Sequence, residues 1–149
     1  MKTLRRLSLA LSIVVATCLL VTTGAYAASG IDTVGVTYDP DLNVMTSKDH
    51  LEVGDCKLDG EVQVTRPYKG LARLTFIFSM KTSHTSNFDQ WHNSWRFYGP
   101  DGTELYRFGP IDGPRMYDDS VQAGGTTLWI HLDKATWDQF TTVSWISEC

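Results

Sequence analysis

Side-chain alternation limits this chain more than any other feature. In 56–64 the residues Cys56, Leu58, Val62 and Val64 fall on one side of a period-two pattern, and Lys57, Asp59, Glu61 and Gln63 fall on the other. In LARLTFIFSMK, Ala72, Leu74, Phe76, Phe78 and Met80 share one side and Arg73, Thr75 and Ser79 the other, interrupted only by Ile77. TTLWIHL points Leu128, Ile130 and Leu132 one way and Trp129 and His131 the other, while FTTVSWISEC keeps Val143 and Trp145 in phase. Successive Cβ atoms of a strand leave opposite faces of the pleat, so these runs read as half-buried strands.

Turn signals separate the runs: YDPD near 38–41, RPYKG at 66–70, GPDG at 99–102 and GPIDGP at 109–114. Long amphipathic helices and internal repeats are missing from the pattern, which disfavours alternating strand–helix architectures. Only DKATWDQ at 133–139 offers a short helical turn, with Asp133 placed to cap it. The chain is therefore expected to be all-β, a small antiparallel β-sandwich that is immunoglobulin-like in general architecture only. The longest irregular segments are expected at 81–90 and 109–125, and loops of that length are often functional.

The N-terminus sets the compartment. Lys2, Arg5 and Arg6 precede an apolar run from Leu7 to about Val21, and TTGAYAAS supplies the small residues a signal peptidase needs. This is the pattern of a secretory signal peptide over 1–27, which leaves a single domain at 28–149. A retained anchor or a lipid attached at Cys18 fits less well, because Gly24 interrupts the run and LLVTTG after Cys18 stays apolar. The chain is expected to be secreted or periplasmic, and soluble, with no integral membrane segment after processing.

Processing changes both charge and cysteine count. Three of the 13 Lys and Arg lie in the leader, so ten remain against 17 Asp and Glu, a formal charge of −7. A phosphate backbone would be repelled, and nucleic acid is not an expected partner. Of three cysteines only Cys56 and Cys149 remain, and an even pair in an exported chain reads as a disulfide.

The densest aromatic stretch is WHNSWRFYGPDGTELYRF, residues 91–108. Pro100 and Asp101 suit the centre of a type I turn, and Gly102 suits the left-handed position of a three-residue hairpin loop. In that register Tyr98 opposes Glu104, Phe97 opposes Leu105, and Arg96 opposes Tyr106. Trp91, Trp95, Phe97 and Leu105 then form a core face. His92, Arg96, Tyr98, Glu104 and Tyr106 form an amphipathic outer face, with Phe108 left over on the polar side. A one-residue slip exchanges the faces. The candidate binding residues are His92, Arg96, Tyr98 and Tyr106, joined by Trp129 and His131 if their strand is a neighbour.

Catalytic and metal signatures are weak. The histidines His50, His84, His92 and His131 lack zinc-ligand spacing, and Asp112, Asp118 and Asp119 do not follow the alternating acids of a calcium loop. No metal or other cofactor is expected. Ser83, Ser86 or Ser94 near a histidine lacks both a nucleophile elbow and an identifiable third partner. The preferred expectation is a binding module that recognises a protein or glycan through its aromatic and polar strand face. A small secreted hydrolase and a structural envelope-associated protein are the alternatives. A deep pocket with convergent polar groups would favour the enzyme, and a flat aromatic surface would favour the binder.

Overall fold

A computed structural model describes residues 29–149; the expected leader, with Cys18, lies outside the described residues. The chain order is β1 (Ser29–Gly35), β2 (Thr37–Asp39), β3 (Val44–Val53), β4 (Cys56–Thr65), β5 (Leu71–Thr82), β6 (Asp89–Tyr98), β7 (Glu104–Met116), β8 (Val121–His131), α1 (Lys134–Trp137) and β9 (Thr142–Glu148). The strands form two antiparallel sheets, a four-stranded one of order β1-β9-β6-β7 and a five-stranded one of order β2-β3-β4-β5-β8. This is the expected small β-sandwich. The expected helical turn is α1, whose N-cap Asp133 accepts the Thr136 N–H at 2.8 Å.

The core lies between the sheets and is built on aromatic rings. Trp91, Trp95, Trp145, Phe76, Leu58, Leu74 and Met80 are fully buried. Trp95 meets Phe76 at 4.8 Å and Trp145 at 5.6 Å between ring centroids, both edge-on, the geometry that the ring quadrupoles favour. Trp145 also donates its indole N–H to Ser47 Oγ at 3.1 Å, so a polar bond joins the sheets inside the apolar layer. The expected pairing of Cys56 with Cys149 is present at disulfide distance, with Cα atoms 6.4 Å apart. It ties the start of β4 to the residue after β9, one sheet to the other.

The hairpin turn forms as expected: Gly102 has φ +79° and donates to the Gly99 carbonyl at 3.0 Å. The register beyond it does not. Tyr98 opposes Glu104, but the ladder then shifts, so that Phe97 opposes Tyr106, Arg96 opposes Arg107 and Trp95 opposes Phe108. Leu105 is the extra residue of a β-bulge. The shift turns Tyr106 towards Phe97, 6.3 Å between ring centroids, and lays Phe108 nearly parallel on Trp95 at 6.3 Å. Apolar burial therefore selects the slipped register, because the unslipped one leaves Phe108 on the polar side.

The segment 109–125 also differs from the expected loop. GPIDGP lies inside β7, where further register shifts bend the strand, and the chain re-enters a strand at Val121. The irregular segment near 81–90 shortens to 83–88 between β5 and β6.

Candidate functional site

The structure distributes the six expected binding residues over three places. His92, Arg96 and Tyr98 alternate with buried Trp91, Trp95 and Phe97 along β6, which puts them on the outer face of the four-stranded sheet. There His92 Nδ1 pairs with Asp112 Oδ1 at 2.7 Å, and Arg96 faces Glu104 at 3.9 Å. Tyr106 leaves that face through the bulge and is half-buried, its hydroxyl raised in pKa by desolvation. It lines a depression at the end of the sandwich with His131, Leu105, Asp133 and Thr136. Trp129 belongs to β8, which pairs with β5 in the other sheet and is no neighbour of β6 or β7 in either ladder. The residues expected to form one surface do not form one.

The Asp112–His92 pair supplies the third partner that sequence alone left unnamed beside Ser94. Ser94 lines the same shallow depression as His92, Pro110, Ile146 and Glu148. Residues i and i+2 of a strand stand about 6.6 Å apart, beyond hydroxyl–imidazole bonding without a lean of both side chains. No hydrogen bond joins Ser94 to His92 among the described residues. Cys56, Asp89 and Cys149 converge within ligand distance of one another, but both sulfurs are bonded together, which leaves the cluster one carboxylate.

The outer face of the five-stranded sheet is one strand wider than that of the other sheet, and strand register orders it into rows. Lys48, Glu61, Ile77 and Gly125 lie across the strands in one row, and His50, Asp59, Ser79 and Ala123 in the next. Between these rows runs an open groove of about 620 Å³, lined by Lys48, Glu61 and Ile77 on one side and His50, Asp59 and Ser79 on the other. Asp49, Gly60 and Phe78, the residues between the rows, complete its lining. Beyond Ile77 the row ends in glycine, which leaves Ile77 45% exposed.

Nearly every charge beside the groove is matched. Lys48 Nζ lies 2.8 Å from Glu61 Oε2 and holds the Glu61 carboxyl below its usual pKa. His50 pairs through Nδ1 with Asp59 at 2.6 Å and through Nε2 with Glu52 at 3.2 Å. Those bonds, Asp59 first, raise the His50 pKa. Lys57 bonds Glu52 at 2.7 Å and is the main cause of the lowered Glu52 pKa, with His50 second. Asp49 differs: desolvation raises its pKa, the His50 N–H binds Oδ1 at 2.8 Å, and Oδ2 is buried with no partner. Carboxylates already committed to cations, on an open surface, suit contact better than proton transfer.

On the same face, two rows from the groove, Trp129 stands 73% exposed opposite Arg73. Thr75 and Thr127, bonded through their hydroxyls at 3.2 Å, fill the row between. Trp129 is legible in the sequence but the groove is not, because no strand before 56 shows itself in the side-chain alternation. The alternation of β3 is Met45, Ser47, Asp49, Leu51 and Val53 on the inner side, and two polar members hide it. Ser47 is inside because Trp145 needs an acceptor there. No family model and no curated protein matches this chain.

Proposed function

We propose that the chain is an exported binding module that grips a partner protein through the outer face of its five-stranded sheet, with Trp129 and Arg73 as the anchoring residues. The observation that carries the reading is the exposed Trp129 beside Arg73 on an open, charge-paired sheet face. Tryptophan and arginine are the residue types that most often carry interface energy, since each offers large area and hydrogen bonding at limited entropic cost. Neighbouring threonines and matched ion pairs form a polar rim that loses little on contact. Export rests on the leader pattern and on the cysteine pair at disulfide distance. No helix among the described residues is long and apolar enough to cross a membrane.

The test is capture from envelope extract with the processed chain as bait, with a glycan panel alongside. Once a ligand is in hand, Trp129→Ala should weaken it by about 2 kcal/mol or more and Arg73→Ala in the same direction, with thermal melts unchanged. His92→Ala and Tyr98→Ala, on the opposite sheet, should leave affinity unchanged. The reverse pattern would move the site to the four-stranded sheet. A glycan that binds through Trp129 while no protein does would keep the surface and replace the partner.

A further inference from the structure

Two sheets have four edge strands, β1, β7, β2 and β8. An edge strand presents unpaired N–H and C=O groups, and proteins blunt such edges with short strands, proline, bulges or inward charges. β2 is three residues long and followed by Pro40. β7 contains Pro110 and Pro114 and several register shifts. β1 carries Asp32 in register with buried Trp145, on the inner side of its strand. Among the described residues, β8 has none of these devices. Its 11 residues, VQAGGTTLWIH, include no proline, lysine, arginine, aspartate or glutamate.

The hydrogen-bond parity of β8 is fixed by its neighbour. Leu132 N–H donates to the Gly70 carbonyl, and Leu71 turns its own N–H and C=O away, to Tyr68. Bonded and non-bonded pairs alternate in an antiparallel ladder, so the even-numbered residues of β8 face β5. Val121, Ala123, Gly125, Thr127, Trp129 and His131 therefore direct their N–H and C=O groups off the sheet.

We propose that two copies of the chain pair antiparallel along β8, about a two-fold axis at Thr126, and fuse their five-stranded sheets into one. This register alone overlaps the whole strand, and it keeps inner side chains on the inner side because paired residues share parity. Steric fit supports it. Trp129 of one copy lies opposite Ala123 of the other, Leu128 opposite Gly124, and Thr127 opposite Gly125, so the exposed Trp129 and Leu128 each meet a small residue, while Val121 faces His131 at the two ends. Neutrality supports it as well: a chain of net charge −7 after leader removal repels its own copy, and β8 is an edge strand that brings no charged side chain to the contact. The arrangement is isologous and closed, so it stops at two copies. It is independent of the partner protein proposed above, since it uses backbone groups of the edge and leaves the Trp129 ring on the outer face, now present twice.

The experiment is sedimentation equilibrium and light scattering on the purified exported chain alone, over a wide concentration range. The expected result is a reversible monomer–dimer equilibrium. Thr127→Pro deletes an outward N–H and none that reaches β5, so it should weaken the dimer by about 30-fold or more while the circular dichroism spectrum stays β-rich. Thr127→Lys places a charge on the edge and should act in the same direction even if the proline variant folds poorly. A cysteine scan reads the register. Non-bonded antiparallel pairs stand about 4.5 Å apart, within disulfide reach, so Thr126→Cys should cross-link to itself on mild oxidation, while Gly124→Cys and Leu128→Cys should not. A monomer at every concentration, a dimer indifferent to both Thr127 variants, or cross-linking at 124 or 128 in preference to 126 would each overturn the proposal.

Discussion

The packing of Trp145 on Gly60 gives a prediction whose sign depends on two opposed effects. Gly60 lies mid-strand in β4, and a Cβ added there would stand 2.6 Å from Cζ3 and 2.9 Å from Cη2 of Trp145, and 3.3 Å from Phe76 Cε2. Replacing a strand glycine by alanine reduces the entropy of the unfolded chain, a gain of about 0.5–1 kcal/mol. Against it stands overpacking, which costs about 1–3 kcal/mol when the neighbours cannot yield. The Trp145 ring cannot yield cheaply: its N–H is bonded to Ser47, and Phe76 and Trp95 pack on it at 5.9 and 5.6 Å. The clash wins, and Gly60→Ala should destabilise by about 1–2 kcal/mol, lowering Tm by roughly 4–8 °C for a domain of this size. Trp145→Phe deletes the ring that carries both clashing atoms, so in that background Gly60→Ala should cost nothing or stabilise. Urea titrations of the four proteins of this cycle should show a coupling of about 1–2 kcal/mol. Additive effects, or a stabilising Gly60→Ala in the wild type, would refute the proposed contact.

Three other expectations concern the hairpin, the cysteines and His50. Trp95 is fully buried, so Trp95→Ala should cost about 3–5 kcal/mol, Tyr98→Ala less than about 1 kcal/mol, and Tyr106→Ala a value between them, because the bulge packs Tyr106 against Phe97; denaturant melts rank the three, and a Tyr106→Ala as mild as Tyr98→Ala would contradict the slipped register. Cys149→Ser should lower stability by up to about 4–5 kcal/mol, since the bond spans a sequence separation of 93, and reductant should lower the wild-type Tm but not that of the variant; free thiols on both residues of the native protein would rule out the bond. The His50 pKa is raised above its ordinary 6.5 by Asp59 and then Glu52, so the stability it contributes is fully present below that value and lost as pH rises through the folded-state pKa. The Tm difference between wild type and His50→Gln should therefore be widest near pH 5–6 and close towards about pH 8, and a difference independent of pH would show that the ion pairs contribute nothing.

The alternation of apolar and polar residues was enough to determine the strands β4, β5 and β9, the C-terminal part of β8, and the sandwich class, because one buried face imposes period two on any such strand. Asp133 marked the helical turn, Gly102 marked the hairpin, and the cysteine count marked the disulfide, each through chemistry local to a few residues or set by parity. Three matters were decided only in three dimensions. The bulge at Leu105 moved Tyr106 from the outer face to the core side, since the register was chosen by where Phe108 and Tyr106 bury their rings and not by the turn. β3 was hidden because its inner face carries Ser47 and Asp49, and the need for Ser47 arises from Trp145, 98 residues away. Sheet partnership sent β6 and β8 to different sheets, and so split His92, Arg96 and Tyr98 from Trp129. A strand's own sequence states which of its faces is buried but not which strand lies beside it, and a surface shared between strands is fixed by that second fact.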